Sequence, residues 1–186
     1  MREAKKHGVR TLAVVNVVGS SIAREADDVL YTWAGPEIAV ATTKGYTSQV
    51  AALYLLGMYF GRIRGKLEDS DYIQMLGELK AIPEKIEKLL EKKEDIQYLA
   101  NRYIGLKNVF FLGRGIDYAT ALEASLKLKE ISYVHSEAYA AGELKHGPIA
   151  LIEDGTLVVG VLTQEALYGK IVSNLVEVKS RGAFVL

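Results

Sequence analysis

An almost continuous apolar run, Asn108-Val109-Phe110-Phe111-Leu112, passes without a spacer into Gly113-Arg114-Gly115, and no glycine or proline follows until Gly142. The run is strand-like. The stretch behind the glycines is rich in Ala, Leu, Lys and Glu, which predicts a helix over about 117–133. Strand, glycine turn and helix in that order expose backbone N–H groups at the positive end of the helix, an arrangement able to hold an anion.

The same alternation runs through the rest of the chain. Met1 to His7 reads as the end of a helix closed by Gly8, and a chain opening on a helix end looks like part of something longer. Thr11 to Val18 is a β-branched run with the pattern of a parallel strand covered on both faces. Gly19-Ser20-Ser21 turns the chain, Ala23 to Ala26 add a helical turn, and Val29 to Trp33 form a second strand ended by Gly35-Pro36. A long helix with a broad apolar face runs from a threonine cap at Thr42 or Thr43 to Arg64. Thr156 to Leu162 is a further strand, Glu165 to Arg181 a helix, and Ala183 to Leu186 the start of another strand.

The expected fold is therefore α/β: a doubly wound parallel sheet flanked by helices, present as parts of two modules. The first module spans 1–65 and the second 105–186. Between them, 66–104 is a connector of two helices split near Ala81-Ile82-Pro83, with Pro83 opening the second. Its lysines and glutamates are mixed in sign, which marks a solvated face rather than a nucleic-acid patch. In such sheets ligands bind beyond the carboxyl ends of the strands, where 34–44 and 113–115 would lie.

Composition narrows the chemistry. Lys plus Arg number 23 against 23 Asp plus Glu, so no overall field draws nucleic acid or an anionic membrane. With no cysteine, a disulfide framework, thiolate metal ligands and a cysteine nucleophile are excluded. No apolar run has the length of a membrane span, and the N-terminal segment lacks the apolar core of a signal peptide, so the expected location is the cytoplasm.

Within the 117–133 helix, Glu123, Lys127 and Glu130 fall on one face at about 100° per residue, while Lys129 points elsewhere. On an isolated surface helix such a stripe is ordinarily a solvated ladder worth a few tenths of a kcal/mol per pair. Here the helix follows a glycine turn at a strand end, which gives the stripe a site to belong to.

Three motifs resemble a known family. Gly113-Arg114-Gly115, the run Glu123 to Ser132, and Ser-Glu-Ala-Tyr-Ala-Ala-Gly-Glu-Leu-Lys-His-Gly-Pro at 136–148 are similar to the isomerase region of glutamine:fructose-6-phosphate amidotransferases. Ala34-Gly35-Pro36-Glu37-Ile38-Ala39-Val40-Ala41-Thr42-Thr43-Lys44 resembles the preceding sugar-isomerase module of the same family. The resemblance implies that Glu130 is the proton-shuttling carboxylate, Lys127 its active-site neighbour, Glu123 a supporting group and His146 the ring-opening acid. It implies sugar contacts from Val40, Ala41 and the hydroxyl of Thr42, which stands where the family has serine, and a ligand turn at Gly113, Arg114 and Gly115. It also implies fructose 6-phosphate and glucosamine 6-phosphate as substrate and product, a homodimer, and no cofactor or metal. The family's Ser/Thr-rich phosphate loop is expected ahead of Met1 and its imine-forming lysine beyond Leu186. The cysteine-dependent glutaminase half is not in this chain.

Spacing alone says nothing about His146, and a lone loop histidine is more often structural or superficial. Two other classes share the fold: a deglycase of phosphorylated sugar–amine conjugates, and a non-catalytic sugar-phosphate sensor. A sensor would not require Glu130, Lys127 and His146 together.

Overall fold

Strand β3 (Asn108–Gly113) carries apolar side chains on both faces, and the second half of the chain is built outward from it. A computed structural model describes residues 1–186. They divide into two units, Met1–Lys93 and Glu94–Leu186.

In the second unit, β3 lies between β4 (His135–Ala140) and β5 (Leu157–Gly160), and β5 pairs with β6 (Phe184–Val185). All three pairings are parallel, with Phe110 opposite Glu137 and Val158. Parallel neighbours need crossovers, and two of those in this sheet are α-helices. Helix α6 (Ile116–Ser132) joins β3 to β4, and α7 (Tyr168–Lys179) joins β5 to β6. The two helices cover opposite faces. Val109 and Phe111 pack with Ala121, Ala124 and Leu128 of α6, whereas Phe110 and Leu112 pack with Ile171 and Val178 of α7. Helix α5 (Lys93–Asn101) precedes β3.

Because α6 leaves β3 toward one side and α7 leaves β5 toward the other, the sheet reverses its winding between these strands. That is the crevice where open α/β sheets hold ligands. The turn into α6 is tight. A Cβ on Gly113 would lie 2.3 Å from the carbonyl oxygen of Asp117, so only glycine lets the helix start directly over the strand end.

The first unit contains α1 (Arg2–Lys6), β1 (Leu12–Val15), α2 (Ser21–Glu25), β2 (Asp28–Tyr31), α3 (Lys44–Ile63) and α4 (Asp69–Leu90). Strands β1 and β2 are parallel, with Ala13 opposite Val29. Ser20 caps α2, its hydroxyl accepting the N–H of Ala23. The end of α3 is tied to the start of α4 by an Arg62–Asp69 ion pair of 2.7 Å, with the same guanidinium over the ring of Tyr72.

Four expectations are corrected. The first strand stops at Val15, because the Asn16 side chain takes over the ladder, donating to Gly35 O at 2.7 Å and accepting from Ala34 N at 2.9 Å. Val17 and Val18 are exposed beyond it, and only Ala13 of β1 is fully buried, so this strand is not covered on both faces. The second strand ends at Tyr31, and Trp33 is exposed with φ +54°.

The third correction concerns the connector. Pro83 lies inside α4, and the chain breaks instead at Glu91-Lys92. Proline removes one helical hydrogen bond, but Leu79, Ile82 and Lys85, on both sides of it, line one groove with Tyr54 and Met58 of α3. The helix continues through the defect without a break. Accordingly α4 belongs to the first unit and nearly all of α5 to the second.

The fourth is β4, which makes six strands, two and four, where five were expected. His-Ser-Glu-Ala-Tyr-Ala has no apolar run. Its strand identity comes from its neighbours: Ser136 is buried, its hydroxyl 2.9 Å from that of Ser125 on α6 and donating at 2.8 Å to Ser125 O.

Ser136 holds helix and strand together from a buried site. Ser136→Ala strips the Ser125 hydroxyl and carbonyl of this partner, an expected loss of about 1–3 kcal/mol, read from urea unfolding followed by far-UV circular dichroism. An unchanged midpoint would mean that the serine pair anchors nothing.

Candidate functional site

Helix α6 has one flank on the sheet, through Ala121, Ser125 and Leu128, and the other carries the charged stripe. Lys127 lies between two carboxylates, 3.6 Å from Glu123 and in direct hydrogen bond with Glu130. The three side chains are only 21%, 16% and 26% exposed for Glu123, Lys127 and Glu130 respectively. A ladder in open water would be far more exposed. The hydrogen bond to Glu130 raises the Lys127 ammonium above its ordinary range; partial burial opposes this, and the charges of Glu130 and Glu123 reinforce it. Lys127 therefore stays protonated, a fixed cation beside a carboxylate. Such a pair can take a proton from carbon next to a carbonyl while the cation stabilises the developing oxyanion.

The start of α6 is fixed to the far side of the crevice. Asp117, 3% exposed, accepts the Thr163 N–H at 2.9 Å and the Thr163 hydroxyl. Burial pushes this carboxyl up, but hydrogen bonds from Thr163 and Gln164 outweigh it and hold Asp117 below its usual range. The Gln164 side chain donates to Arg114 O at 2.7 Å, so the glycine turn is tied to the loop after β5. Gly115 precedes α6 with φ +55°. The Arg114 guanidinium is engaged, its Nε donating to Asn174 Oδ1 on α7 at 3.1 Å.

His146 ends a 3-10 turn, Leu144–His146, that follows β4. Leu144 anchors the turn in the core, while the imidazole is exposed and makes no hydrogen bond or ion pair with the stripe. Within this unit the chain thus brings Glu123, Lys127 and Glu130 together and leaves His146 apart from them.

Val40, Ala41 and Thr42 lie in the first unit, on the segment between β2 and α3. Val40 is 93% exposed, and the N–H groups of all three residues make no hydrogen bond within the chain. The Thr42 hydroxyl donates to Glu37, and the Lys44 ammonium to Pro36 O at 2.6 Å. These residues curl round a cavity of about 160 Å³ lined by Ala41 and Thr42 among others.

Asp117, Ser125, Ser136, Thr163 and Asn174 were not singled out by the sequence. An acidic residue in the first turn of a helix was the one local signal, at Asp117. No group of His, Cys, Asp and Glu is arranged to hold a metal ion, and no helix is long and apolar enough to cross a membrane.

Residues 1–59 and 103–186 match the family described as SIS domain. Among curated relatives, the isomerizing glutamine–fructose-6-phosphate aminotransferase of Clostridium tetani is 61% identical over 98% of this chain and 30% of its own length. That of Caldanaerobacter subterraneus is 55% identical over the whole chain and 31% of its own length. A solved structure, the C-terminal domain of glucosamine-fructose-6-phosphate aminotransferase from Francisella tularensis, superposes with TM-score 0.95 at 38% identity, covering 99% of this chain and 52% of that one. The chain thus spans about a third of the length of these curated relatives.

The lowered Asp117 gives stability that is complete above the unfolded aspartate value and is lost as pH falls through the folded one. Asp117→Asn is expected to lower the urea midpoint at pH 6, with the gap to the unsubstituted chain closing as pH drops below about 3.9. Parallel midpoint curves from pH 6 to pH 3 would show that the carboxylate charge contributes nothing.

Proposed function

The chain belongs to the SIS-domain family, and from that premise we propose that it is the isomerase segment of a cytoplasmic, dimeric enzyme that makes glucosamine 6-phosphate from fructose 6-phosphate and the amide nitrogen of glutamine. One observation carries the reading: two carboxylates and an ammonium share one poorly exposed face of α6. The names of the relatives supply the substrate class.

The chemistry requires a proton to move from the carbon beside the sugar's carbonyl to the carbonyl carbon itself. Glu130 takes that proton and returns it to the neighbouring carbon. Lys127 stabilises the enediol-like oxygen that carries charge in between, and Glu123 keeps the ammonium in place from the other side. The free N–H groups at Val40, Ala41 and Thr42 and the Thr42 hydroxyl suit sugar hydroxyls, and the backbone of Gly113 and Gly115 borders the crevice. His146 opens the sugar ring. Because its imidazole is exposed and unattached to the stripe, we place it in the site of the neighbouring subunit of a two-fold dimer.

In a protein of the relatives' full length carrying this segment, Glu130→Gln is expected to cut the isomerisation rate by about 10²–10⁴-fold with no change in melting temperature. Near-normal turnover would remove Glu130 from the mechanism. Glu130→Gln and His146→Ala subunits, each inactive alone, are expected to regain partial activity when mixed and allowed to exchange. Mixtures that stay dead after demonstrated exchange would rule out the shared site.

A further inference from the structure

The turn that presents His146 is short and sits against a single charged side chain. Ala141 donates its N–H to Gly113 O at 2.9 Å, continuing the β3–β4 ladder by one bond, and the Ala141 and Leu144 side chains are buried. Between them Gly142 lies directly on the Arg114 guanidinium: a Cβ added there would be 2.7 Å from Nη2 and 3.3 Å from Cζ. Any other residue would push the turn or the arginine aside.

Arg114 in turn is held from behind. Its Nε donates to Oδ1 of Asn174, which is 6% exposed, and Asn174 Nδ2 reaches Glu177 at 3.4 Å. Its backbone carbonyl is fixed by Gln164. A guanidinium held by α7 through Nε has at least one of its donors committed to protein, and its Nη2 end is what the turn rests on.

We propose that Arg114 is a positioning residue, which sets the place of the His146 turn through Gly142, and not a contact to the sugar phosphate. The sense in which this matters for catalysis rests on the functional reading above; the placement itself does not. Rotation of the turn would carry Lys145 and His146 with it, because Glu143 N bonds back to Ala140 O and His146 N to Glu143 O.

The placement is tested on the 186-residue chain by NMR of its three histidines, the His146 imidazole signal being the one lost in His146→Gln. Arg114→Met keeps an apolar stem and removes the guanidinium, and Gly142→Ala adds one methyl against it. Each is expected to shift or broaden the His146 signal while leaving that of His7 unmoved. In the double variant the methyl no longer meets a guanidinium, so the perturbation is smaller than the sum of the two. If Arg114→Met does not fold, Gly142→Ala decides alone. A His146 signal unmoved by the variants that fold would overturn the proposal.

In the full-length protein, Arg114→Met is expected to lower kcat by about tenfold or more with KM for fructose 6-phosphate changed by no more than about twofold. A rise in KM of about tenfold at unchanged kcat would make Arg114 a substrate contact and overturn the proposal. If Glu130→Gln retains turnover, the functional reading falls while the NMR comparison still decides where Arg114 acts.

Discussion

Burial of β3 on both faces is the constraint from which the second unit follows. Val109 and Phe111 need one cover and Phe110 and Leu112 another, so neither face can be left to water. Two helices must therefore pack on opposite sides, each entered from the C-terminal end of a strand. The chain achieves this by sending α6 out of β3 and α7 out of β5. The crevice between those exits is a by-product of the burial, and it is where Gly113, Arg114, Thr163 and Gln164 meet.

Polar contacts then fix what burial leaves free. Hydrophobic packing places α6 on the sheet but is indifferent to small rotations about the helix axis. Asp117 bonded to Thr163 at one end and Ser125 bonded to Ser136 in the middle remove that freedom. The orientation of Glu123, Lys127 and Glu130 depends on these bonds, although none of the three takes part in them. Charge placement is thus inherited from neutral and acidic groups buried beneath it.

What could be read from the sequence was whatever is periodic or punctuated. The run 108–112, the glycines after it and the i, i+4, i+7 stripe at 123, 127 and 130 all lie within a single local window, and the structure has them as expected. Contacts across the fold left no such mark. Asp117 and Thr163 are 46 residues apart, and Arg114 and Asn174 are 60 apart. Pro83 misled for a related reason: its local preference to start a helix does not keep it from lying inside one, and the break comes later, at Glu91-Lys92. The family motif at 136–148 was legible as a motif but not as a strand, since its first residues are polar.

That polarity has a use. In this four-stranded sheet β4 is outermost, so one side of its backbone presents N–H and C=O groups that no sheet strand satisfies. An apolar strand in that place would be a template for another chain to add to. His135 and Glu137, 3.3 Å apart, and the Tyr139 hydroxyl bonded to the same Glu137 instead put ionisable groups along the rim. A second molecule docking edge to edge would have to strip water from them. The composition that hid β4 from a reader of the sequence also discourages the sheet from growing into a fibre.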